Sequence, residues 1–113
     1  MSDLKYDGVY MSGGQLAGTI AYSSYLRFYP DGDVIAVGST ATPEELQKWF
    51  DKESDNISRG KFIIQGNHIS FHTVSTSGNV DYIGEIHDDQ ISLNWYSHIN
   101  QGKGNNIYVF VKW

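Results

Sequence analysis

Apolar and polar residues alternate through the second half of the chain in five runs, at about 61–65, 68–74, 80–87, 90–99 and 106–112, separated by short polar stretches. Alternation with a period of two is the mark of half-buried strands. The first and third separators, Gly66-Asn67 and Asp88-Asp89, have the length of tight hairpin turns. A two-residue turn at Gly66-Asn67 places Gln65 opposite His68, Ile64 opposite Ile69 and Phe62 opposite Phe71. The same construction at Asp88-Asp89 pairs Ile86 with Ile91, Gly84 with Leu93 and Tyr82 with Trp95. Both registers stack apolar on apolar, and a slip of one residue would turn each set to the wrong face.

The first half predicts three more strands, at 8–11, 19–29 and 34–39, with the glycine-rich stretch 12–18 as a flexible connection. No Gly-Lys-Ser/Thr follows those glycines, so they do not form a phosphate loop. Pro30-Asp31-Gly32-Asp33 is a hairpin signal; a two-residue turn there pairs Phe28 with Ile35 and Leu26 with Val37, whereas a three-residue loop with a bulge shifts the register. Residues 42–52 read as the one helix. Thr42 can cap it, Pro43 suits its first position, Glu45 completes a capping box, and Leu46, Trp49 and Phe50 share a face. These elements predict an all-β fold: one domain, residues 1–113, an antiparallel up-and-down barrel of about eight strands with one short amphipathic helix after the third strand. Eight strands can close and so remove exposed edges. A twisted open sheet wrapped on the helix is the alternative.

Followed through the last five strands, the register puts Phe62, Ile64, Ile69, Phe71, Thr73, Val80, Tyr82, Gly84, Ile86, Ile91, Leu93, Trp95, Ile107, Val109 and Val111 on the inner face. A barrel of this size is either filled by its own side chains or holds one small ligand. If it is hollow, Leu26, Phe28, Phe71, Tyr82 and Trp95 line the lumen and Trp49 closes one end. The polar tips of Tyr82 and Trp95 then need partners, from backbone, water or ligand. Gly84 either leaves room in the lumen or relieves strain in a tightly coiled strand. On the outer face, Ile83, Tyr96, Tyr108 and Phe110 come together as an apolar group where solvent is expected, which points to a homodimer or partner contact through the final strands.

The outer face also carries histidines. His68 and His72 lie on one side of one strand but too far apart for a shared ion, and the register sets them opposite Glu85 and Asp81 as surface charge pairs, so no metal site is expected. Were that face the interior, the four would form a buried acid–base cluster suited to catalysis. Otherwise no nucleophile motif or paired-carboxylate spacing indicates a reaction, and no cofactor is implied.

Composition narrows the partners. Eight Lys and Arg against 13 Asp and Glu give a formal net charge of -5, with no basic cluster, which argues against nucleic acid and anionic membranes. The absence of cysteine removes disulfides and thiolate chemistry. The polar start has no signal-peptide pattern and no run has transmembrane length, so a soluble cytoplasmic chain is expected, in which the sequon Asn56-Ile57-Ser58 has no consequence.

Gly8-Val9-Tyr10 resembles the Gly-x-Trp signature of the lipocalin first strand, Val80-Asp81-Tyr82 echoes the Thr-Asp-Tyr signature, and Lys112 stands where that family places a basic residue near the barrel's end. The chain thus resembles a lipocalin-like (calycin-type) small barrel, although it has no cysteines and no C-terminal helix and carries its helix after the third strand. The resemblance implies carriage of a small hydrophobic molecule in the lumen. Two readings follow: a small barrel binding a small apolar or aromatic ligand, or a structural or protein-interaction module with a filled core that self-associates through its C-terminal strands.

Overall fold

A computed structural model describes residues 4–55, 57–76, 78–99 and 101–113, without the side chain of Ala17; Asn56 of the sequon lies outside the described residues. The described residues form eight antiparallel strands: β1 (Gly8–Ala17), β2 (Ile20–Phe28), β3 (Asp33–Ser39), β4 (Ser58–Gln65), β5 (His68–Ser75), β6 (Gly78–His87), β7 (Gln90–Ser97) and β8 (Lys103–Lys112). Each strand pairs with the next and β8 returns to β1, so the sheet closes into an up-and-down barrel. Among the described residues one helix, α1 (Pro43–Leu46), follows β3. None of the described helices is long and apolar enough to cross a membrane.

Turn chemistry fixes the pairing. Gly66 opens the β4–β5 turn with φ of 65°, a conformation glycine adopts without steric cost, and Gln65↔His68, Ile64↔Ile69 and Phe62↔Phe71 pair as the alternation predicts. At the β6–β7 turn Asp88 takes the equivalent position with φ of 55°, and Ile86↔Ile91, Gly84↔Leu93 and Tyr82↔Trp95 follow. The strands between them bring His68 opposite Glu85 and His72 opposite Asp81.

Three expectations are corrected. The β2–β3 connection is the bulged three-residue form: Tyr29 N–H donates to Asp33 O, Gly32 N–H donates to Tyr29 O, and Phe28 pairs with Val34 and Leu26 with Ala36. Residues 12–17 are not a loose connection but continue β1, with an irregularity between Ser12 and Gln15. In β8 the faces are reversed. Tyr108 is buried and Phe110 packs into the core, while Ile107 and Val109 are 47% and 42% exposed. The turn after β7 closes early, with Ser97 N–H donating to Gly102 O, which puts Tyr96 opposite Lys103 and Trp95 opposite Gly104. Glycine is required there: a Cβ would lie 2.9 Å from the Trp95 ring.

Apolar side chains form two cores. The lower half of the barrel is solid, filled by Tyr10, Phe28, Phe62, Phe71, Ile69, Ile86, Ile91, Leu93 and Phe110. Phe28 is its centre, edge-on to Tyr10 (5.6 Å), Phe62 (5.2 Å) and Phe71 (5.6 Å). Leu4 packs against this floor, and the Lys5 N–H donates to the Tyr10 hydroxyl. The second core lies outside the barrel wall, where Val9, Tyr25 and Ile35 face Leu46, Phe50 and Ile57. The α1 segment therefore lies against the outer side of β1–β3. Thr42 Oγ1 accepts from Glu45 N while Glu45 Oε1 accepts from Thr42 N, completing the capping box. Arg27 secures the same segment from below, donating to Phe50 O (2.8 Å) between the rings of Tyr29 and Trp113.

Candidate functional site

Two seams of the barrel are short. β1 and β8 pair only from Gly8↔Lys112 to Met11↔Val109, and β3 and β4 only from Asp33↔Lys61 to Ala36↔Ser58. Neighbouring hairpins such as β5–β6 pair over eight residues. Above Met11 and Ala36 the wall separates into two leaves, the upper parts of β1–β3 and of β4–β8. Between them is a cleft that continues through the β3–β4 gap to the outer side, where Tyr25, Val37, Ile57 and Arg59 border it, with a volume of about 1060 Å³ in all. One leaf contributes Tyr22, Ser24, Leu26, Ala36 and Gly38; the other contributes Val80, Tyr82 and Tyr108, with Ile99 of the β7–β8 turn at the rim.

The base of the cleft is aromatic and polar at once. Tyr82 stacks on Phe71 (4.6 Å between centroids, 17° between planes), so its ring is held by the floor beneath it. Burial pushes the Tyr82 hydroxyl well above the ordinary phenol range, with the nearby Tyr108 adding to the effect and a hydrogen bond with Thr73 opposing it. Burial also raises Tyr108, against hydrogen bonds with Asn106 and Ser24. Both phenols are neutral near pH 7 and can donate to an acceptor. Trp95, opposite Tyr82, lies across Gly104, and its Nε1 is buried with no hydrogen-bond partner among the described residues.

The predicted lining residues separate by height. Leu26 and Tyr82 line the cleft; Phe28 and Phe71 are part of the floor; Trp95 stands beside Tyr82 but outside the cleft surface. Trp49 is on the outer wall with the helix, 38% exposed, and cannot close the mouth. Gly84 leaves no room: a Cβ there would overlap the Ser92 carbonyl oxygen, so it permits a close approach of two backbones. Of the predicted outer group, Ile83 and Tyr96 do face solvent and Tyr108 and Phe110 face inward. Tyr22, Ser24, Ala36 and Gly38 escape a sequence reading because their place depends on the parting of the seams, which alternation does not encode.

The outer face of β5–β7 carries pairs rather than a centre. His98 Nε2 lies 2.7 Å from Asp81 Oδ2 and His87 Nε2 3.8 Å from Glu85 Oε1, all on exposed side chains. Among the described residues no group of three or more His, Asp or Glu side chains could hold a metal ion.

The fold and cleft define a small all-β antiparallel barrel with a solid base and an open top, in agreement at that level with the lipocalin-like resemblance. No protein-family model, curated protein or solved structure matches the chain.

Proposed function

We propose that this protein binds a small apolar or aromatic molecule in the cleft between its two leaves. The observation that carries the reading is the cleft itself, of a size suited to a small ligand, where Leu26, Ala36, Val80, Tyr82 and Tyr108 stand beside polar groups such as Ser24, Ser58 and Thr76. Strand count and order support a lipocalin-like carrier by analogy, although here the ligand sits above a filled half rather than in a full-length lumen. The test is a fluorescence titration with the neutral dye N-phenyl-1-naphthylamine, on wild type and on Ala36→Trp, which fills the cleft from the β3 side. Saturable one-to-one binding that the substitution abolishes supports the reading. Absence of saturable binding, or binding unchanged in Ala36→Trp, refutes it.

A second reading has its own observation. Ile63 and Ile83, 64% and 61% exposed, flank Ser70 in one cross-strand row on the outer face, with Tyr96 nearby on β7. Self-association of two copies through that row would cover them. A concentration-dependent dimer in sedimentation that Ile83→Lys abolishes supports it; a monomer at high concentration refutes it.

A further inference from the structure

The cleft is neutral except at one place. Its two charged side chains, Asp55 and Arg59, lie at its outer opening: Arg59 stands opposite Ile35, whose side chain belongs to the outer core, so the exposed guanidinium is on the outer side of the wall where β3 and β4 part. Nearby cations are already occupied: Lys52 is paired with Asp31 and Asp33, each at 2.7 Å, and Lys61 with Asp33. The other arginine, Arg27, is held on the outer wall by Phe50 O and two aromatic rings. Arg59 differs from all of these. Its Nη2 donates to the carbonyl oxygens of Lys52 and Ser54, which fixes the guanidinium at the seam. Among the described residues no carboxylate is within ion-pair distance of it, and Nε and Nη1 make no hydrogen bond.

A guanidinium held in place by part of its edge, with the rest of its donors open at the mouth of a cleft of mixed polar and apolar lining, suits a planar anion better than it suits solvent alone. We propose that the ligand is an amphiphile with an acidic head group, its apolar or aromatic body between the leaves and its carboxylate or sulfonate at Arg59. The proposal rests on the ligand-binding reading of the same cleft. Asp55 on the same rim opposes an anion, and the net charge of -5 disfavours anions generally, so recognition of the head group depends on Arg59 alone.

The test compares two dyes that share an aromatic body. 1-Anilinonaphthalene-8-sulfonate carries the anionic group and N-phenyl-1-naphthylamine does not. Arg59→Gln is expected to weaken the sulfonate dye about 5-fold while leaving the neutral dye within about twofold, in the range of a partly exposed charge pair. Asp55→Asn is expected to tighten the sulfonate dye only, and Arg59→Lys to retain more of its binding than Arg59→Gln. Unchanged affinity of the neutral dye also reports that losing the bonds to Lys52 and Ser54 has not collapsed the cleft. If Arg59→Gln weakens both dyes equally, or neither, the head-group assignment is wrong while ligand binding stands. If neither dye binds the wild type, both readings fall.

Discussion

Replacing Phe28 by alanine removes the ring around which the solid half of the barrel is assembled. The side chain is 1% exposed and meets three other rings edge-on at 5.2 to 5.6 Å, so nothing on the surface can move in to fill the space. Phe-to-Ala changes at buried sites cost about 3–5 kcal/mol, from lost burial and the cavity left behind. The upper end applies here, because the rings of Tyr10, Phe62 and Phe71 belong to three different strands and cannot collapse together without parting the sheet. For 113 residues the unfolding entropy near the midpoint is about 0.24 kcal/mol/K, so each kcal/mol shifts Tm by about 4 °C. Phe28→Ala should therefore lower Tm by about 20 °C by calorimetry, with a matching fall in the urea midpoint and an unchanged slope. Phe28→Leu, which keeps most of the volume, should lose less than half as much. A loss below about 1 kcal/mol for Phe28→Ala would mean that the lower half is not packed as described, and the separation into floor and cleft would fail.

Other substitutions follow from the same geometry. Gly84→Ala places a Cβ against the Ser92 carbonyl oxygen and 3.0 Å from Leu93 Cα, so β6 and β7 must move apart; a loss of about 1–3 kcal/mol in chemical denaturation is expected, and a neutral result would contradict the close approach. Thr42→Ala removes the capping box and should cost about 1 kcal/mol, with Thr42→Ser restoring most of it in the same assay. The Tyr82 and Tyr108 hydroxyls are raised by burial, so the unfolded chain loses these protons first as pH climbs. Their contribution to stability is complete below the ordinary tyrosine value near 10 and declines above it, towards the raised folded values. Alkaline titration at 295 nm should show ionisation of these two only together with unfolding, and ionisation of all eight tyrosines at pH 10 in a folded protein would refute their burial.

The alternating runs between 61 and 97 made the sheet legible because each pairs an apolar face with a wet one, leaving a single register that satisfies both. In β8 the run Ile107-Tyr108-Val109-Phe110-Val111 has no polar position, so periodicity cannot choose a face. What decides it is the contact of Gly104 with Trp95, a tertiary fact. The run Val34-Ile35-Ala36-Val37 held a signal of the opposite kind. Continuous apolar residues belong to a strand covered on both sides, and α1 with its following turn supplies the outer cover. The cleft was the least legible feature. It arises where β1 and β8 part and where β3 outruns β4, and the polar and glycine residues there, such as Gly13, Gly14, Gly38 and Asn105, read equally well as connections.

The cleft exists because those two seams close below and part above. Residue-resolved amide hydrogen exchange on the free protein measures this directly at the β1–β8 seam. The predicted result is strong protection where residues 8–11 meet 109–112, with rapid exchange at the seam-facing amides of residues 12–16 and 104–108. Equal and strong protection along the full length of both strands would contradict it, because the barrel would then be zipped to the top and the cleft would have no opening on that side.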